Sequence, residues 1–214
     1  TIPNMSFSLE LDALCDAAVS FHARGYAFGS TGNLSVRDGD TVWITPTGQS
    51  LRHTTVASLA AIDATGASQN ANKPSKEFPF HLAAYAANPA RALVHLHSTW
   101  SVLLSCLDDL DEAQPLPVFT PYYLMRVAPL AVVPYCRPGS ENLAAVIGAA
   151  AAKSNCLLLR NHGLVALGRN MSEAVDRAEE LEETCKLYFL SRNENLRLLT
   201  GAQRDEIYQV FGGK

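Results

Sequence analysis

The chain has 214 residues, of which 48% are hydrophobic and 18% charged, and its formal net charge is −4. These values describe an ordinary globular protein able to bury a sizeable core, without the clustered basic surface that nucleic-acid binding requires. No apolar stretch approaches the roughly 18 residues needed to span a bilayer. We therefore expect neither a nucleic-acid partner nor a membrane partner.

The cysteines and the first residues indicate the compartment. There are five cysteines, an odd number, with no Cys-x-x-Cys pair among them, which is typical of reduced thiols. Residues 1–5 lack the charged and apolar regions of a secretory signal. We expect a cytoplasmic protein.

Apolar residues recur with helical and strand periods in turn along the chain. The predicted helices cover 8–24, 77–87, 99–107, 140–153 and 172–192, and Ser172 is the expected N-cap of the last helix. The predicted strands cover 33–36, 41–45, 93–97, 130–134, 157–160 and 164–167, and the first two form a hairpin. Residues 108–122, rich in Asp and Pro, predict an irregular excursion. With no repeat and no linker, the pattern predicts a single α/β domain over 1–214.

Two histidines within one apolar strand are the most distinctive pattern. His95 and His97 are two residues apart, so their rings can share one face of the strand. Such a pair alone is a weak signal for metal, but His162 follows another apolar run at a strand turn, and Glu77 lies upstream. Three neutral imidazoles leave a position open for water or substrate, which is typical of a catalytic zinc site.

The helix that Glu77 opens carries two residues whose roles the pattern leaves open. Glu77 is either a metal ligand in the resting state, a general acid/base, or a surface acid favoured by the helix dipole. His81 lies four residues later on the same helix face. We interpret His81 as a packed histidine that supports the site rather than as a ligand.

Three polar segments could bind an anion. Gly-containing turns occur at 29–33 and 45–48, and Ser75 stands just before a predicted helix. Backbone N–H groups and hydroxyls in such turns form concave anion sites, yet ordinary turns and an ordinary N-cap explain the same residues. Neither turn matches a nucleotide-binding motif.

Five ordered motifs resemble the zinc-dependent class II aldolase/adducin-type family, which includes fuculose-phosphate aldolase and ribulose-phosphate 4-epimerase. The motifs extend the resemblance over about residues 9–192; they are Gly32-Asn33-Leu34-Ser35-Val36-Arg37, Ile44-Thr45-Pro46-Thr47-Gly48, Pro74-Ser75-Lys76-Glu77, His95-Leu96-His97-Ser98 and Asn161-His162-Gly163.

The resemblance implies a three-layer α/β/α fold with a central, mainly antiparallel sheet. It also implies a cyclic homotetramer with active sites at subunit interfaces. It assigns one zinc ion per subunit to His95, His97 and His162 and the acid/base role to Glu77. It places a substrate phosphate near Gly32, Asn33, Thr47, Gly48, Ser75 and the residue after Ser75.

That next residue is Lys76, where the sugar-phosphate aldolases usually have a second serine. Together with segments such as 119–122, 125–127 and 134–139, this departure resembles the branch of 3-oxo-tetronate 4-phosphate decarboxylases, which act in four-carbon sugar-acid catabolism. The branch implies loss of CO2 to leave the enediolate of dihydroxyacetone phosphate, with zinc as a Lewis acid and Glu77 as the proton donor. Lys76 is then either a charge contact to the substrate's carboxylate or phosphate, or a solvated lysine.

Two further residues are candidates through the same resemblance. In the aldolases a tyrosine from the neighbouring chain reaches the site, and Tyr122 lies in the comparable region. Arg126 could bind an anion. Either residue could instead be structural.

Two alternatives remain open. One is a class II aldolase that cleaves a phosphorylated ketose to dihydroxyacetone phosphate and an aldehyde. The other is a noncatalytic binding domain of the adducin type, which keeps the fold without the zinc site. The presence of the three histidines and Glu77 argues against the second alternative.

Overall fold

The computed structural model describes residues 5–211, which form helices and strands in alternation. The helices are α1 Met5–Ala23, α2 Phe78–Ala87, α3 Thr99–Ser105, α4 Glu141–Ala151, α5 Met171–Leu190 and α6 Gly201–Phe211, and Tyr123–Val127 is a π-helical turn. The strands are β1 Asn33–Asp38, β2 Thr41–Ile44, β3 Ala60–Asp63, β4 Ala92–Leu96, β5 Leu130–Val133, β6 Cys156–Leu159 and β7 Gly163–Gly168. Within residues 5–211, no helix is long and apolar enough to cross a membrane.

The strands form one seven-stranded sheet in the order β3-β2-β1-β4-β7-β6-β5. Only β5 and β6 pair in parallel, and the other neighbours are antiparallel. One apolar cluster joins one face of the sheet to α1, α3 and α5, and a second joins the other face to α2 and α4. The predicted α/β/α fold with a mainly antiparallel sheet is therefore confirmed.

The central strand β4 alternates between the two faces, as strand geometry requires. Val94 and Leu96 enter the cluster with α1 and α5, while Leu93 enters the cluster with α2 and α4. His95 shares the face of Leu93, and its ring meets the ring of Phe80 from α2 edge-on at 5.3 Å between centroids. The apolar period of β4 thus directs one imidazole into the interior beneath α2.

Three details differ from the expectations. The N-cap of α5 is Asn170, whose side chain accepts a hydrogen bond from the Glu173 backbone N–H, so the prediction that Ser172 caps this helix was wrong. Ser172 already lies within the first helical turn. Strand β3 and helix α6 were not predicted.

Candidate metal centre

Four side chains converge where α2 begins, β4 ends and β7 begins. They are Glu77, His95, His97 and His162, and the ligand atoms they offer all lie within 4.8 Å of one another. His95 is the last but one residue of β4, and His97 directly follows the strand. Glu77 precedes His95 by 18 residues and His162 follows His97 by 65 residues, yet these side chains meet at one point.

The pairing of β4 with β7 brings His162 to the other two histidines. His95 lies opposite Val165 and Leu96 opposite Leu164, so the residue preceding β7 faces the end of β4. A Cβ at Gly163 would stand 2.3 Å from the Leu96 carbonyl oxygen, so only glycine permits this close approach of the two backbones. The glycine of the Asn-His-Gly motif therefore allows the close backbone packing that places the His162 ring beside His95 and His97.

The tautomer of His95 follows from its surroundings. Its Nδ1–H donates to the Leu164 carbonyl oxygen at 2.8 Å, and the side chain is fully buried. In the neutral ring Nε2 then carries the free lone pair, which is the form that binds a metal.

Glu77 precedes the first turn of α2 and turns its carboxylate toward the histidines. Oε2 lies 3.3 Å from His95 Nε2, and Oε1 lies 3.4 Å from His162 Nε2. Burial by itself raises the pKa of the Glu77 carboxyl, but the positive charge that His95 carries when protonated and contacts with His162, His95 and Asn33 outweigh it and hold that pKa well below its usual range. The carboxylate is therefore ionised in this environment.

His97 and His162 complete the cluster from the cavity side. His97 Nε2 lies 3.0 Å from His95 Nε2, and burial together with the charges of His95 and His162 lowers the pKa of His97 to about 3. Both ring nitrogens of His162 are buried without a hydrogen-bond partner in the described part of the chain. Its Nε2 lies 3.4 Å from Glu77 Oε1 but in no hydrogen bond among the described residues, and a buried imidazole without a hydrogen bond is costly, which points to a ligand at this position.

The spacing of these atoms fits a divalent metal ion. Metal bonds to His nitrogens and carboxylate oxygens of about 2.0–2.2 Å in a tetrahedron place neighbouring ligand atoms ~3.3 Å apart. The separations of 3.0 Å between His97 Nε2 and His95 Nε2 and of 3.4 Å between Glu77 Oε1 and His162 Nε2 are close to that edge, and all the ligand atoms lie within 4.8 Å of one another. The three histidines and Glu77 could thus hold one metal ion.

The cluster opens on a cavity of about 710 Å³. Glu77, His97 and His162 line it, while His95 lies behind them. All the residues predicted to hold a phosphate line the same cavity, namely Gly32, Asn33, Thr47, Gly48, Ser75 and Lys76. The Ser75 hydroxyl accepts a hydrogen bond from the Glu77 backbone N–H at 3.3 Å, but the N-cap of α2 is Glu77, so the alternative that Ser75 is an ordinary N-cap was wrong.

Two cations border this cavity, and only Lys76 was among the predicted site residues. Lys76 and Arg137 both line it, are exposed, and form no ion pair within residues 5–211. Gly139, in the same loop as Arg137, lies against the backbone of Lys76, where a Cβ would stand 3.7 Å from the Lys76 carbonyl oxygen. Arg137 was missed as a site residue because it is 60 residues from Glu77 in the chain, and its segment, 134–139, was used only for the family resemblance.

Tyr122 and Arg126 lie elsewhere in the chain's own structure. They line a separate groove of about 360 Å³ with Asp176 and three glutamates of α5, and this groove shares no residue with the metal cavity. Arg126 pairs with Asp176, and Tyr122 is 55% exposed. Their predicted contact with substrate requires a neighbouring subunit and stays a prediction.

Comparison with known proteins agrees with this geometry. Residues 12–189 match the family described as Class II Aldolase and Adducin N-terminal domain. The chain is 47% identical to the 3-oxo-tetronate 4-phosphate decarboxylase of Haemophilus influenzae, over 86% of this chain and 89% of the relative. It is 36% identical to the L-fuculose phosphate aldolase of Methanococcus maripaludis, over 79% and 91%. The solved structure of YgbL from Klebsiella pneumoniae superposes with a TM-score of 0.90 at 40% identity, covering 94% and 98%.

Proposed function

The chain belongs to the Class II Aldolase and Adducin N-terminal domain family, and on that premise we propose that it is a metal-dependent carbon–carbon lyase that decarboxylates 3-oxo-tetronate 4-phosphate. The products are dihydroxyacetone phosphate and CO2. The observation that carries the proposal is the pair of unpartnered cations, Lys76 and Arg137, beside the anion-binding turns and the Glu77–histidine cluster. A substrate with a phosphate at one end and a carboxylate at the other needs both kinds of contact.

The bonding changes require one proton and no oxidant. The electrons of the bond between the carboxylate carbon and C2 move toward the C3 carbonyl, which leaves CO2 and an enediolate. C2 then takes a proton to give the hydroxymethyl group of dihydroxyacetone phosphate. Water returns the proton to the donor.

Glu77 is the proposed proton relay to C2: its carboxylate is ionised in the resting site, so it takes up a proton from water in the cavity and then passes that proton to C2. It is the sole carboxylate lining the cavity among the described residues, and it lies beside His97 and His162 on the cavity wall. A general acid must be within hydrogen-bond reach of the reacting carbon, and a carboxylate beside the proposed metal ligands can reach a carbon whose oxygens bind there.

The proposed metal is zinc, one ion per subunit, held by His95, His97 and His162. Imidazole nitrogens suit zinc, and three of them leave a coordination position open. When bound, the ion supplies Lewis-acid stabilisation of the negative charge that develops on the substrate oxygens. The residues of the chain provide the neutral imidazoles for it, with His95 fixed by Leu164.

The two anionic ends of the substrate have separate proposed partners. The turns containing Gly32, Asn33, Thr47 and Gly48, together with Ser75, offer backbone N–H groups and hydroxyls to the phosphate. Lys76 and Arg137 supply the positive charge that a carboxylate requires, and Lys76 occupies the position where the sugar-phosphate aldolases usually have serine. CO2 leaves from the end that these cations border.

We also propose a cytoplasmic homotetramer built from single-domain chains. In that assembly Tyr122 approaches the cavity of a neighbouring subunit, and Arg126 contributes at the same interface. Sedimentation of the purified protein tests the subunit number, and a loss of turnover in Tyr122→Phe without a change in metal content would support the tyrosine's role.

The second candidate is a class II aldolase that cleaves a phosphorylated ketose, favoured by the identity to a fuculose-phosphate aldolase. The discriminating experiment incubates the zinc-loaded protein with 3-oxo-tetronate 4-phosphate and, separately, with fuculose 1-phosphate. CO2 release from the first at a rate well above aldehyde release from the second supports the decarboxylase. Faster aldehyde release from fuculose 1-phosphate than CO2 release from the 3-oxo acid establishes the aldolase. A protein that does not take up stoichiometric metal and is inactive on both substrates indicates the noncatalytic adducin type.

A further inference from the structure

A buried row of hydrogen bonds runs beneath the metal centre between β1 and α2. Glu77 Oε2 accepts from Asn33 Nδ2 at 2.8 Å, and Asn33 Oδ1 lies 2.5 Å from His81 Nε2. His81 Nδ1 lies 2.7 Å from Ser35 Oγ, which in turn lies 2.7 Å from the Tyr85 hydroxyl. His81 is fully buried and offers no atom to the ligand cluster, which agrees with its interpretation as a supporting histidine.

The row follows from two periodicities. Asn33 and Ser35 are two residues apart on β1, and Asn33 lies opposite His95 in the sheet, so both point to the face that α2 covers. Glu77, His81 and Tyr85 are four residues apart along one side of α2. Side chains of β1 therefore alternate along the row with side chains from the α2 side.

The direction of each bond follows from the geometry around Asn33. Its amide Nδ2 donates to Glu77 Oε2, so its carbonyl Oδ1 faces His81. A carbonyl oxygen only accepts, so His81 Nε2 carries the hydrogen. Burial lowers the pKa of His81 to about 3, with the charge of His95 as the next cause, so the ring is neutral and Nδ1 accepts from the Ser35 hydroxyl. The Tyr85 hydroxyl ends the row: it lies 2.7 Å from Ser35 Oγ and donates to the Ser35 backbone carbonyl oxygen at 3.0 Å.

The row acts on one oxygen of Glu77 and not on the other. Oε2 is held by Asn33 on the side of buried His95, whereas Oε1 lies beside His162, which lines the cavity. If residue 81 offers no N–H, the carbonyl oxygen of the Asn33 side chain loses its hydrogen-bond donor. The amide group can then rotate by half a turn and present its oxygen, instead of its N–H, to Glu77. The Glu77 carboxylate would be repelled by that oxygen and rotate away from it.

We propose that His81 is a positioning residue, which acts through Asn33 to hold Glu77 Oε2 on the buried side and keep Oε1 facing the cavity for proton transfer to substrate. This inference rests on the proposed acid/base function of Glu77. It assigns a role to a histidine that touches neither metal nor substrate.

The test compares His81→Gln with His81→Met. The two side chains have nearly the same length and volume, but only glutamine keeps an N–H that can reach Asn33 Oδ1. We expect His81→Gln to keep kcat within a few-fold of wild type. We expect His81→Met to lose kcat by about 10- to 100-fold, since a misplaced catalytic group costs up to that order, with KM and metal content unchanged.

A merely structural role predicts a different result. Equal losses in both variants, or wild-type kcat in His81→Met, would overturn the proposal. If His81→Met does not fold, Ser35→Ala replaces it, because loss of the hydroxyl frees His81 to take the other tautomer. A several-fold loss of kcat at unchanged KM is expected there, and an unchanged kcat would contradict the proposal.

Crystal structures of the variants separate this proposal from the proposed function. The contact from Asn33 Nδ2 to Glu77 Oε2 should persist in His81→Gln and break in His81→Met. A wild-type protein inactive on both substrates would refute the lyase function, while these structures would still decide whether His81 positions Glu77. An intact contact in His81→Met would refute the positioning role whatever the activity.

Discussion

The buried metal centre and the cationic rim of the same cavity are built in different ways. In the centre, the ligand atoms of four side chains lie within 4.8 Å of one another, and His95 and Glu77 are each fixed by a further hydrogen bond. At the rim, Lys76 and Arg137 are exposed and have no ionic partner within the described chain. The side chains of the centre are thus fixed by their own contacts, whereas the two rim cations keep their charges available to an anion.

This difference leads us to expect that the centre governs the bond-breaking chemistry and that the rim governs which substrate binds. Retro-aldol cleavage and decarboxylation pass through the same kind of enediolate, so one centre can serve both. The two reactions differ in the group that leaves: retro-aldol cleavage releases an aldehyde, whereas decarboxylation releases CO2 from a carboxylate. Changes at the centre should therefore reduce kcat for any substrate, while changes at the rim should act on KM and on the choice of substrate.

The largest effect is expected from loss of the metal. Removal by chelation, or His162→Ala, should reduce turnover by about 10³-fold or more, because Lewis-acid stabilisation supplies several kcal/mol of the barrier reduction. Added zinc should restore the chelated wild type but not the variant. The exposed histidine His53 provides a matched control, since His53→Ala should keep both metal and rate. Full activity in the metal-free protein would contradict the account.

Glu77→Gln should have the next largest effect. The amide keeps the shape of the side chain but cannot donate an acidic proton, so kcat should fall by about 10²- to 10⁴-fold. KM should change little, and metal analysis should still find the ion bound to the three histidines. Wild-type kcat in this variant would remove Glu77 from the acid/base role.

Smaller effects are expected at the rim. Lys76→Met and Arg137→Met should each raise KM for the 3-oxo acid by about 10- to 100-fold, since a hydrogen bond to a charged group contributes about 1.5–3 kcal/mol. The kcat should stay within a few-fold of wild type. Lys153→Met, an exposed lysine outside the cavity, is the control. An unchanged KM in both rim variants would show that these cations do not bind the substrate.

The smallest effect concerns stability and pH. The pKa of buried His81 is lowered to about 3, mainly by burial, so between about pH 6.5 and 3 the unfolded state binds the additional proton. Stability is therefore greatest above pH 6.5 and falls as the pH drops through this window, by at most about 1.4 kcal/mol per pH unit for one histidine. Urea unfolding of the metal-free protein at pH 4–7 measures the slope, which should be shallower in His81→Gln. Equal slopes would show that His81 is already protonated in the folded protein or free to ionise.

Much of the centre was predictable because its signals are local. The apolar run before His95, the glycine after His162 and the hairpin at Asp38–Asp40 each reflect a short segment. Their meeting in space follows from strand pairing that those segments specify. The predicted fold class is confirmed, whereas the roles of the individual site residues stay predictions.

The missed features depend on contacts that no short segment contains. Strand β3 has only four residues, two of them alanine, and is defined by its pairing with β2. Arg137 reaches the cavity because its loop packs against Lys76. The cap of α5 was assigned to Ser172 because Ser and Asn are both good capping residues, and only the hydrogen bond to Glu173 selects Asn170.

The most direct test of the central claim is decarboxylation of 3-oxo-tetronate 4-phosphate in heavy water, followed by proton NMR. A single carboxylate fixed on one side of the substrate should deliver one deuterium to one prochiral position of the new hydroxymethyl group, in step with CO2 release. Deuterium distributed over both positions would mean that the enediolate leaves the site before protonation. That result, or the absence of CO2, would contradict the assignment of both steps to the Glu77–histidine centre.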